Sequence, residues 1–85
     1  MGHAKRRSGV HTPEYQYMLR RLREARLKAG LTQVAVAKAL GLRQSYVTKC
    51  ELGERRIDPI ELQRFAALYR RPLSYFMPKS GRHQV

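Results

Sequence analysis

The sequence contains a single cysteine, no tryptophan and only six acidic residues in 85. One cysteine cannot close a disulfide, and in so short a chain it lacks the companion cysteines of a zinc module. His3, His11 and His83 share no ligand spacing with one another or with Cys50, so no metal is expected. No run approaches the roughly 18 apolar residues of a membrane span. No apolar segment follows Met1 to Arg7 that could act as a secretion signal. A cytoplasmic chain without a membrane partner is the expectation. Cys50 has no neighbouring His and acid to form a triad, and neither a glycine-rich phosphate loop nor a paired carboxylate site is present. Neither catalysis nor a cofactor is expected.

What is present is positive charge. Eighteen Lys and Arg against six Asp and Glu leave a net charge of +12 with the histidines neutral. Such a balance points to a large anionic partner, either nucleic acid or an anionic membrane surface. Apolar residues make up 42% of the chain, too many for a disordered basic tail throughout, and the length allows one small domain. The charge is uneven: +3 over residues 1–13, +3 over 14–30, +2 over 31–53, zero over 54–69 and +4 over 70–85. That asymmetry suits a molecule with one face toward an anion and another that packs or pairs.

Start and stop signals divide the chain into helices. Thr12 caps a first helix with Pro13 at its first position, where the missing N–H costs nothing. Tyr15, Met18, Leu22, Ala25 and Ala29 recur at helical steps, and Gly30 ends the run. Thr32 caps a short second helix through Leu40, with Leu31 and Val36 spaced as a hydrophobic staple. Gly41 stops it. A third helix runs from about Gln44 to Leu52 with Val47 and Cys50 inward, and Gly53 closes it. Asp58-Pro59-Ile60-Glu61 opens a fourth, in which Glu61 is placed to reach back to the cap N–H and Leu62, Phe65, Ala66 and Tyr69 form the stripe. Pro72 opens a last helix with Leu73, Phe76 and Met77, and Pro78 closes it. The pattern reads as an all-α fold of five helices, with a basic arm over 1–12, the domain over 13–78 and a tail over 79–85. No strand pattern or repeat competes.

Residues 32–53 carry the functional signal. Two helices of under ten residues are joined through Leu40-Gly41-Leu42, and the second has an outer face rich in hydrogen-bonding side chains. A helix has the width to enter the major groove of B-form DNA, and polar side chains near its N-terminus then meet base edges.

In this register the chain resembles the Cro/C1-type helix-turn-helix family of phage and bacterial repressors. The residues that carry the resemblance are Ala25-Arg26, Gly30-Leu31-Thr32-Gln33, Val36-Ala37 and Leu40-Gly41. Gln44-Ser45, Val47, Thr48-Lys49 and Glu51-Leu52-Gly53 continue it, with Leu62, Ala66 and Leu73 to Met77 behind them. The resemblance covers roughly Leu22 to Met77. It implies a compact lambda-repressor-like fold whose recognition helix is Gln44 to Leu52. By the same resemblance, Gln33 touches a phosphate and braces Gln44, while Gln44, Ser45, Tyr46 and Thr48 meet bases. Lys49, Arg55 and Arg56 lie along the backbone and Arg26 pairs with Glu51, while Arg43, which the family pattern does not supply, adds a cation near the phosphates. Lys5, Arg6 and Arg7 form either an arm around the duplex or a solubilising tail.

Three departures from the family pattern stand out. Arg43 replaces the usual Ser or Thr before the recognition helix, so the cap hydroxyl is lost. Arg70-Arg71 replaces a common Gly-Val, which puts the left-handed cap and the angle of the last helix in question. Val34 and Ala35 stand where acidic residues are common.

The implied activity is occupancy of a palindromic operator on double-stranded DNA by a homodimeric bacterial or phage repressor. Its pairing surface is expected around the loop after the third helix, the fourth helix and the last. Two rivals remain. One is an antitoxin-like autoregulator that also holds a partner protein, through Val34 or the basic C-terminal end. The other is a basic protein that binds nucleic acid without reading it.

Overall fold

The computed structural model describes residues 12–79; Lys5, Arg6 and Arg7 lie outside the described residues. Four α-helices and one 3-10 turn make up the described fold. α1 spans Pro13–Lys28, α2 Gln33–Leu40, α3 Gln44–Leu52 and α4 Pro59–Tyr69, and the 3-10 turn spans Leu73–Phe76.

Local chemistry accounts for most of these boundaries. The Thr12 and Thr32 hydroxyls accept from the N–H of Tyr15 and Ala35, and the Asp58 carboxylate accepts from Glu61 N–H at 2.8 Å. Each satisfies a donor that the first helical turn leaves orphaned. Arg43 caps α3 with backbone alone and makes no side-chain cap bond. The turn after α3 passes close to α1: a Cβ on Gly53 would stand 3.0 Å from Leu19 Cδ1, and the residue's φ is +81°. The positive φ favours glycine, and any side chain there would also have to push the Leu19 methyl aside by a few tenths of an ångström.

Three sequence expectations need correction, and one open question is answered. Ala29 is the exposed C-cap residue of α1, while Leu19 and Arg26 are buried in its place. Glu61 turns its side chain away from its own cap, toward Tyr46 of α3. The fifth helix is only the 3-10 turn, because Pro78 forces Met77 into extended backbone (φ −94°, ψ 136°) before an α-turn can close. The left-handed cap after α4 is kept without glycine: Arg70 holds φ +60°, the only positive φ outside glycine among the described residues.

That last conformation is strained for a residue with a Cβ. Arg70→Gly is expected to raise the unfolding free energy by about 0.5–1 kcal/mol, strain relief exceeding the extra unfolded-state entropy of glycine. Urea unfolding checks it, and a loss of stability would show that the Arg70 side chain contributes more than its backbone costs.

Leu22, Ala25, Val36, Val47, Cys50, Phe65 and Phe76 are fully enclosed at the centre, with Met18, Leu19, Ala37, Leu62, Ala66 and Tyr69 around them. α2 packs chiefly on α3, α1 runs behind α3, and the 3-10 turn packs on α1. No helix among the described residues is long and apolar enough to cross a membrane.

Candidate nucleic-acid interface

The orientation of α3 follows from which of its side chains the core takes. Val47 and Cys50 are wholly enclosed, so at about 100° per residue the opposite stripe is Ser45, Lys49 and Leu52. Gln44, Ser45, Lys49 and Leu52 are exposed, while Tyr46 and Thr48 are half-buried on either flank.

The flank toward α2 is held by a chain of hydrogen bonds. Arg26 of α1 grips Glu51 through two nitrogens, at 2.7 and 3.2 Å, and donates to the Leu31 carbonyl at 2.9 Å. Both side chains are buried, at 8% and 4% exposure. Gln33 donates from Nε2 to the same carboxylate at 3.0 Å and accepts from the Thr48 hydroxyl at 2.6 Å. Three helices are thereby fastened at one point, and the Glu51 carboxylate is enclosed by its partners. Gln33 was expected to brace Gln44; it braces Thr48 and Glu51 instead, because Thr48 lies one helical turn along from Gln44 and nearer the Arg26–Glu51 pair. A second hydrogen on Nε2 is not used in these bonds.

The other flank meets α4. Tyr46 donates its hydroxyl to Glu61, and the Arg55 guanidinium lies 4.6 Å from its ring centre. Tyr46 was expected among bases; its position on α3, about 100° from Val47, aims it at α4 rather than straight out. It serves here as a shelf for Arg55. The sequence reading missed this role of Glu61, since Asp58-Pro59-Ile60-Glu61 accounts for that residue locally as a capping signal. Two further ties had no local signature at all: Arg64 donates to the Leu40 carbonyl at 2.7 Å, and the Tyr15 hydroxyl accepts from Ile57 N–H at 3.0 Å.

Arg43, Arg55 and Arg56 are exposed around the two ends of α3, and none of them, nor Lys49, pairs with a carboxylate among the described residues. Unneutralised cations at these places are what a phosphate backbone would meet. Behind α3, burial pushes the Cys50 thiol up to about 11, with Glu51 adding to the rise and Arg55 opposing it. The thiol is protonated at neutral pH and is not a nucleophile. Burial likewise raises the Tyr69 phenol well above its ordinary range.

A family model described as helix-turn-helix matches residues 22–76, from α1 to the end of the 3-10 turn. No curated protein matches the chain.

Proposed function

The chain belongs to the Cro/C1-type helix-turn-helix family, whose members bind DNA, and we propose that it is a sequence-specific regulator of transcription that represses by occupying its operator as a homodimer. The observation that carries the reading is the outer face of α3. Gln44, Ser45 and Lys49 stand exposed on a helix whose two flanks are hydrogen-bonded to α2 and α4.

Gln44 offers a donor and an acceptor together, as an adenine edge requires, and Lys49, expected along the backbone, stands on the same exposed stripe and also offers donors to guanine. Ser45 suits either. Gln33, Arg43, Arg55 and Arg56 take backbone phosphates. Thr48 and Tyr46 hold the reading helix in place, since both hydroxyls are already engaged inside the domain. The setting of such activity is the cytoplasm of a bacterium or of a phage-infected cell.

A homodimer is supported by a mostly apolar cleft lined by Met18, Ile57, Pro59, Leu62, Leu73 and Met77, together with Arg56. Ile60 at 66% exposure lies nearby, in the segment where charge sums to zero. One domain makes few base contacts, so two half-sites supply the missing specificity.

Selection from random duplex followed by sequencing tests the reading. The expected product is a palindrome with half-sites about one helical turn apart, bound about a thousandfold or more above random duplex. Gln44→Ala should weaken binding to it by about 1–3 kcal/mol while leaving random duplex almost unaffected. Enrichment of no sequence would sink specificity, and enrichment of a lone half-site would sink the dimer.

A further inference from the structure

α1 carries a second basic surface, apart from the residues assigned above to DNA. Arg26 and Leu19 face α3 and its following turn. Arg21 stands about 140° around the helix from Arg26 and faces the 3-10 turn, where its Nε donates to the Tyr75 carbonyl at 3.0 Å. There three guanidiniums gather on two tyrosines. Arg21 lies 3.7 Å from the Tyr75 ring centre, and Arg71 lies 5.0 Å from the same ring. Arg20 and Arg21 lie 5.5 and 5.7 Å from the Tyr17 ring. One carboxylate, Glu24, answers three positive charges, at 3.3 Å from Arg21.

We propose that Arg20, Arg21, Arg71, Tyr17 and Tyr75 form a docking platform for an acidic polypeptide segment of a partner protein, open while α3 lies on DNA. Guanidiniums laid on aromatic rings are fixed in plane and lose little freedom when a carboxylate approaches their edge. Glu24 displays the contact in miniature, a carboxylate already received on Arg21. Tyrosine faces beside those edges suit a peptide, with its mix of carboxylate and apolar stem. A second duplex would present only phosphates, and its rows would have to pass Glu24.

The platform goes beyond operator reading and stands or falls apart from it. The test follows a fluorescein-labelled oligoglutamate binding to the full chain, with and without saturating duplex, while duplex affinity is measured in the same samples. The peptide should bind the protein–duplex complex. Arg20→Gln with Arg71→Gln should weaken it about tenfold or more, while Lys49→Gln with Arg55→Gln, an equal loss of charge, should change it less than about twofold. Arg71→Lys, which keeps the charge but not the plane, should cost about threefold. Equal weakening by both double variants would reduce the platform to net charge and overturn it. So would failure of the peptide to bind. Displacement of the peptide by duplex, with duplex affinity lowered by Arg20→Gln and Arg71→Gln, would make the surface a nucleic-acid site and overturn it too. Thermal melts accompany each variant; should the double variant melt early, Arg20→Gln alone decides, since that exposed side chain lies over the Tyr17 ring and makes no hydrogen bond or ion pair among the described residues.

Discussion

Glu51→Ala is expected to lower the unfolding free energy by about 3–5 kcal/mol, the cost of leaving a buried charge without its partner. Arg26 would keep only the Leu31 carbonyl, and Gln33 would lose the acceptor for its amide. Such a loss is a large part of the roughly 5–15 kcal/mol that a small domain has available. Urea unfolding followed by far-UV circular dichroism checks it. Because the pair is enclosed, the loss should persist in high salt, where a surface pair would fade. A cost under about 1 kcal/mol would mean that water reaches the pair. The double replacement Arg26→Met with Glu51→Leu separates stability from orientation. Removing both charges together is expected to restore most of the folding free energy, since desolvation and attraction nearly cancel in a buried pair. Operator preference should not return with it, because Gln33 would still lack the carboxylate that holds its amide, and the amide oxygen that receives the Thr48 hydroxyl would no longer be fixed.

Phe76→Ala is the second large effect, again about 3–5 kcal/mol. Phe76 is fully enclosed although the element that carries it is four residues long, and it shares a wall with Tyr15, Met18 and Pro78. The short turn has little helical stability of its own, so this ring is what seats it. Its removal should loosen Tyr75, which meets Phe76 edge-on at 5.2 Å, and with it the Arg21 tie to α1. Thermal unfolding measures the loss. DNA affinity well below the melting transition should stay within about threefold of the parent, because α3 is seated on α1 and α2. A large loss of binding at low temperature would show that the 3-10 turn also positions the reading face.

These effects lie at places of unequal legibility in the sequence. Thr12, Thr32 and Asp58 are readable because a cap bonds to an N–H only three residues along the chain. Val47 and Cys50 are readable because burial follows helical period. Tyr46 and Glu61 are fifteen residues apart, and nothing local says that α4 crosses beside α3; only the assembled fold brings hydroxyl to carboxylate. Gln33 is an intermediate case. Its place at the start of α2 is legible, but whether its amide turns to Gln44 or to Thr48 depends on the helix crossing. The 3-10 turn was over-read as a helix because Leu73, Phe76 and Met77 fit helical spacing, whereas the prolines at 72 and 78 leave too few residues to close one.

The fastening of Arg26, Glu51, Gln33 and Thr48 lies wholly behind the side chains assigned to base edges. Frame and alphabet are therefore separable in this molecule. Gln44, Ser45 and Lys49 can be exchanged for other letters without disturbing a single bond in that fastening. A lineage could drift toward a different target by steps that each leave a foldable protein, and an engineer could retrace those steps at the same three positions.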